Sequence, residues 1–302
     1  MSPPFRSGTL MSGATALFTS GRDGTRIHVR LHEGPSASAV TAVLTDGIAC
    51  DGFIWKYLWD DLAQWMRVAH WNYRGHGRSG RPEDPASIEL AEHAHDLDAV
   101  RRALGDGDVV LFGHSMGCQV LLEAYRLRPE RVRGIVMICG ASGRITHSFK
   151  GTNVLAQMLP RFIARVDAHP EIARAIWSRV PPEVALRVAL LAGEVDAAIV
   201  PEDLLPYMTH MVDIDLPMFL RMLHSAGEHD AADLLPQIKA PTLVIGGDRD
   251  SFTPPRFAEE MAAAIPGSEL LMVAGGTHVV PLERKDLVAE RVERFLRERV
   301  GL

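Results

Sequence analysis

The sequence has no run approaching the roughly 18 consecutive apolar residues that a bilayer span requires. Its opening segment, MSPPFRSGTLMSGATALF, lacks the charged start and continuous apolar stretch of a secretory signal. Both absences lead us to expect a soluble, cytoplasmic protein with no membrane partner. Cysteine is scarce: Cys50, Cys118 and Cys139 are an odd set without metal-like spacing, which argues for reduced thiols in the core rather than a disulfide framework. Basic charge is not in excess. With 32 Lys and Arg against 38 Asp and Glu, a net charge of -6, the chain lacks the electropositive footprint of a nucleic-acid binder. There is no internal repeat and no low-complexity tract.

What is present is apolar patterning. At 302 residues and 47% apolar content, the chain can bury one large core or two modest ones, and one α/β domain with an insertion fits best. Residues Arg26 to Leu31 alternate, and Asp23-Gly24 ahead of them is hairpin chemistry, so the sheet opens antiparallel. Runs beginning at Ala39, Val68, Val109 and Gly134 alternate with helical stretches at Trp55 to Met66, Ser87 to Leu104 and Met116 to Arg128. Near-continuous apolar runs predict parallel strands covered on both faces. From Ala141 to His229 the alternation stops, and the segment reads as helices punctuated by prolines. It resumes at Thr242 to Ile245 and Glu269 to Val273, with a last helix ending near Arg299.

Gly113-His114-Ser115-Met116-Gly117 fits G-x-S-x-G and lies between a predicted buried strand and a predicted helix. A serine on so sharp a turn has crowded neighbours, hence the flanking glycines. Its hydroxyl is thrust out at a helix start, where the Met116 amide is free to donate to a developing oxyanion. A serine hydroxyl also needs a base, and imidazole suits that task; an acid then fixes the imidazole tautomer.

In these motifs the chain resembles the α/β-hydrolase fold superfamily over nearly its whole length. It is similar to the smaller, cap-bearing esterase, lactonase and C–C hydrolase branches, with serine where related dehalogenases and epoxide hydrolases carry aspartate. The resemblance implies a mostly parallel eight-stranded sheet with helices on both faces, formed by residues 1–140 and 230–302, and an inserted helical cap at residues 141–229. The family order of serine, acid, histidine is met by Ser115, then Gly247-Asp248-Arg249-Asp250, then Gly275-Gly276-Thr277-His278. It implies a triad of Ser115, Asp250 and His278, with the acid three residues past the glycine at Gly247; Asp248 is the rival. The triad needs the seryl oxygen within hydrogen-bonding reach of the imidazole.

The second oxyanion donor in the family follows a His-Gly pair, and here Asp46-Gly47-Ile48 occupies that place. Aligning Gly47 implies that Ile48 is the donor and that Trp55 matches a downstream tryptophan. A carboxylate aimed at the oxyanion would oppose it, so Asp46 is expected to turn away and tie down the loop through Arg74. Cys50, Asp51 and Phe53 are candidates to face the substrate.

Other clusters read as structural. His93, His95 and Asp96 read as a solvated helix face, because residues two apart on a helix point in opposed directions and nothing completes a metal site. His76 and His114 read as structural residues. Met208, Met211, Met218, Met222 and Phe219, with His210 and His224, give the inserted segment an apolar bias that suits either a lid or that segment's own core.

The expected activity is hydrolysis of a carboxylic ester of a small, largely apolar substrate through an acyl-enzyme on Ser115. The expected pH profile rises as His278 loses its proton, and the triad calls for no cofactor or metal. Lactone, thioester or C–C hydrolysis, perhydrolysis and acyltransfer use the same constellation, and a non-catalytic receptor module is the remaining alternative. No oligomer interface can be read.

Overall fold

The structure, a computed structural model, describes residues 11, 13–35, 39–147, 151–177, 179, 181–191, 194–196 and 199–302. The expectation about a leader falls largely on residues 1–10 and 12, outside the described residues. Eight strands run β1 (Thr15–Ser20), β2 (Arg26–His32), β3 (Val40–Thr45), β4 (Arg67–Trp71), β5 (Asp108–His114), β6 (Val132–Ile138), β7 (Thr242–Gly247) and β8 (Glu269–Val273). They form one sheet in the order β1-β2-β4-β3-β5-β6-β7-β8. β2 is antiparallel to β1 and β4, and every other neighbouring pair is parallel. The hairpin turns at the expected place: the Gly21 amide bonds to the Thr25 carbonyl at 2.8 Å, and Gly24 takes a φ of 86°.

The helices are α1 (Lys56–Ala63), α2 (Leu90–Ala103), α3 (Met116–Leu127), α4 (Val154–Ala168), α5 (Pro170–Trp177), α6 (Pro182–Leu191), α7 (Pro201–Asp213), α8 (Leu216–Glu228), α9 (Pro255–Ala264), α10 (Val280–Glu283) and α11 (Lys285–Phe295). Register explains why the strands read as unbroken apolar runs. Leu44, Phe112, Val136 and Leu243 pair in a line across the sheet and share one face with α1 and α11. Their neighbours Val43, Leu111 and Ile135 line up on the other face, under α2 and α3. Each such side chain, taken fully out of water, contributes roughly 1.5–3 kcal/mol. The last helix is less regular than expected. It is broken into α10, α11 and a wider terminal turn over Leu296–Val300.

Between β6 and β7 lie α4 to α8, with no strand among the described residues there. The two ends of this insertion are joined by a Gly143–Asp230 bridge and by the Arg144 amide on the His229 carbonyl at 2.9 Å. Pro170, Pro182 and Pro201 open helices, where a missing N–H costs nothing, and Asp215 caps α8 through the Met218 amide at 3.1 Å. Met218 and Met222 of α8 belong to the main core, whereas Phe219 packs with Trp177 in the insertion's own cluster. Among the described residues no helix is long and apolar enough to cross a membrane, and Cys50, Cys118 and Cys139 are buried free thiols.

The reading of His93, His95 and Asp96 as a solvated face is corrected. His93 and Asp96, three apart, share the inward face of α2, and only His95 stays partly exposed. Asp96 accepts both a 2.7 Å bond from Arg74 Nε and a 2.7 Å bond from Arg74 Nη2. Burial holds His93 well below the usual imidazole range, His76 at about 4 and His114 at about 3. All three are therefore neutral in the folded chain while their unfolded counterparts protonate below about pH 6.5. Stability is complete above that value and falls as pH drops toward the folded values, by roughly 1.4 kcal/mol per pH unit for each histidine. Denaturant titrations from pH 7 to pH 5 should show this loss; an unchanged midpoint would contradict it.

Candidate active site

Ser115 sits between β5 and α3 with φ 54° and ψ -122°, a strained conformation for a residue with a side chain. Neighbouring backbone forces the two glycines. A Cβ on Gly117 would stand 2.4 Å from the Thr45 carbonyl oxygen and 2.6 Å from that of Asp46, and one on Gly113 would stand 2.8 Å from the Gly117 carbonyl carbon. The turn is held by the Ser115 amide on the Ile138 carbonyl at 3.0 Å. Met116 is the first residue of α3, so its amide has no partner inside the helix.

Asp250 and His278 come from the loops after β7 and β8. His278 Nδ1 donates to Asp250 Oδ2 at 2.9 Å, and the carboxylate also accepts from the Phe252 amide at 2.9 Å, the Thr253 amide at 2.9 Å and Thr253 Oγ1 at 2.7 Å. Burial alone would raise the Asp250 pKa. The His278 ring and the Thr253 bonds outweigh it and bring the carboxyl below its ordinary value. Asp248, the rival, is exposed and accepts from the Gly275 amide at 2.7 Å, stapling the two loops together. Glu283 fixes the His278 loop further through the Thr277 amide at 2.9 Å and Thr277 Oγ1 at 2.6 Å.

His278 is tied to the serine turn through its backbone: His114 Nε2 donates to the His278 carbonyl at 2.9 Å, and the two rings lie 5.0 Å apart. Among the described residues Ser115 Oγ has no hydrogen-bond partner, so the bond from the seryl oxygen to the imidazole is open in this arrangement. Such bonds are often long without substrate and tighten in the reacting complex.

The loop after β3 carries Ile48. Asp46 does turn away from it: Asp46 Oδ1 accepts from Trp55 Nε1 at 2.8 Å, and Oδ2 accepts from the Gly52 amide at 3.0 Å and from His70 Nε2 at 2.8 Å. The anchor expected at Arg74 is corrected to these three, because Arg74 is spent on Asp96, Asp23 and the Ser87 carbonyl. Arg30 Nη1 donates to His70 Nδ1 at 3.1 Å, which leaves the ring proton on Nε2 for Asp46. Among the described residues the Ile48 and Met116 amides have no protein acceptor.

Asp51 and Phe53, candidates to face substrate, are engaged elsewhere: Asp51 by Arg30 at 2.7 Å and Asn72 at 2.6 Å, Phe53 by stacking on Tyr207 at 4.6 Å. Cys50 is buried beside Gly47, and burial pushes its thiol well up. Sequence reasoning missed His70, Gly52, Thr253 and Glu283. Only Thr253 carried a local signal, because it follows Asp250, an aspartate whose side chain can accept from amides two and three residues on.

Residues 45–291 match the alpha/beta hydrolase family. The chain is 27% identical over 258 residues to polyketide synthase ThaQ of Burkholderia thailandensis, a match covering 85% of this chain and only 12% of that protein. It is 28% identical over 252 residues to "Putative carbamate hydrolase RutD" of Pseudomonas savastanoi pv. phaseolicola, covering 82% of this chain and 90% of the relative. An esterase from Exiguobacterium antarcticum superposes with a TM-score of 0.76 at 21% identity, covering 94% of this chain and 100% of its own, a likeness of fold. The chain belongs to the alpha/beta hydrolase family, with hydrolysis as its class of activity.

Proposed function

We propose that the chain is a serine hydrolase that cleaves a carboxylic ester of a small, largely apolar acyl substrate. Ser115 Oγ attacks the carbonyl carbon as His278 Nε2 takes its proton, and Asp250 holds the ring and stabilises the imidazolium. The amides of Ile48 and Met116 receive the oxyanion. Collapse breaks the bond to the leaving oxygen, which takes the proton from His278 and departs as an alcohol. Water, deprotonated by the same histidine, then releases the acid from the acyl-enzyme. Helices α4 to α8, within residues 141–229, act as the cap over this site.

The observation that carries the reading is the 2.9 Å bond from His278 to Asp250, set beside a strained serine at a helix start. A relative named as a carbamate hydrolase favours a carbamate as the second acyl class for the same residues. A fluorophosphonate probe should label the wild-type protein on Ser115 and leave Ser115→Ala unlabelled. Equal labelling of both would contradict the assignment.

A further inference from the structure

Two neighbouring imidazole nitrogens are buried without a protein partner: His76 Nε2, in the turn after β4, and His210 Nε2, on α7. Their rings lie 6.3 Å apart. Buried polar atoms nearly always have partners, so an adjoining pair of orphans with almost no accessible surface is a pair of unmet hydrogen-bonding groups. The place is next to the oxyanion loop. His76 packs edge-on against Tyr73 at 5.8 Å, and Tyr73 donates its hydroxyl to the Asp46 carbonyl at 2.6 Å.

α7 turns this face toward the core. Asp203, Tyr207 and His210, spaced by four and three residues, lie on one side of the helix. Asp203 accepts from Tyr57 at 2.5 Å and pairs with Lys56, while Tyr207 stacks on Phe53. His210 is thereby held on the same side as the contacts that dock the helix above residues 53–57.

The chemistry of the pair selects its ligand. His76 Nδ1 lies 3.2 Å from the Arg74 carbonyl, which can only accept, so Nδ1 carries the proton and Nε2 presents a lone pair. Burial keeps this ring neutral. Whatever meets His76 must therefore donate, and it can accept in turn from an N–H at His210 Nε2. A hydroxyl does both. A carbonyl or carboxylate oxygen cannot donate, an ammonium cannot accept, and among the described residues no three groups are placed to share a metal ion.

We infer that His76 and His210 form a binding subsite for a hydroxyl group carried by the substrate, between α7 and the turn at residues 72–77. The inference rests on the serine-hydrolase reading and adds a substrate class to it: hydroxylated acyl esters.

The test compares methyl hexanoate with its hydroxylated analogues, the hydroxyl moved one carbon at a time along the chain. The readout is the ratio of kcat/KM for the hydroxylated ester to that for the plain one. At one position the wild-type ratio should reach at least about ten-fold, and it should fall to near unity in His76→Phe and in His210→Phe. His210 is only partly buried, so its variant retains the test if His76→Phe does not fold. A preference that survives His210→Phe overturns the inference. So does a wild-type ratio near unity at every position while the plain ester is hydrolysed, a result that leaves the hydrolase reading standing. Failure of the wild-type protein to turn over any of the esters or to take a fluorophosphonate label overturns the hydrolase reading, and the subsite with it.

Discussion

Asp250→Asn should lower kcat by about 10⁴ with little change in KM, by analogy with loss of the orienting acid in serine triads. The carboxylate accepts four hydrogen bonds, three of them from Phe252 and Thr253. Those donors hold the side chain in place, so an asparagine stays put and offers His278 Nδ1 a neutral amide instead of a carboxylate. The imidazole then loses the partner that selects its tautomer and steadies its charge. Asp248→Asn is the matched control, because among the described residues the Asp248 carboxylate accepts only from the Gly275 amide, a bond that the asparagine amide oxygen still accepts, so little loss of kcat or stability is expected. Steady-state kinetics on both variants separates the residues. Equal losses would return the acid role to Asp248.

Asp46→Ala should cost about 3–5 kcal/mol of stability, because it leaves His70, Trp55 and the Gly52 amide buried around an empty site. In the fraction that folds, kcat should fall by about 10²–10³, the loss that follows when one oxyanion donor is misplaced. Gly52 and Trp55 lie just past Ile48, so Asp46 closes the loop on itself, and His70 and Arg30 back it from β4 and β2. Asp46→Asn retains one acceptor, for Trp55, and should fall between the variant and the wild type. Thermal melts and kcat on a common ester measure both effects. A rise in turnover on Asp46→His would show instead that the carboxylate opposes the oxyanion.

The strands and the turn at Ser115 were legible because each rests on local sequence. Leu44, Phe112 and Val136 lie in runs apolar on both faces, and Gly113 and Gly117 meet backbone that leaves no room for a Cβ. The partners of charged groups were not legible. Asp46 was expected at Arg74, and it lies with His70, 24 residues away in sequence; Arg74 lies with Asp96, which read as solvated. Nothing in spacing along a chain says which buried cation will meet which anion, since that depends on how β4 and α2 stack on β3. The inserted helices gave only a composition, and the docking of Tyr207 on Phe53 and of His210 near His76 came from the fold.

The central claim is that an acyl group is passed through Ser115. It is tested most directly by mixing the enzyme with excess p-nitrophenyl acetate, quenching within the first turnover and mapping the peptides by mass. The account predicts a burst of p-nitrophenol matching the enzyme present, with one acetyl group on the peptide that contains Ser115. Turnover without a burst and with no acyl adduct, or an adduct confined to another residue such as Cys50, would contradict it.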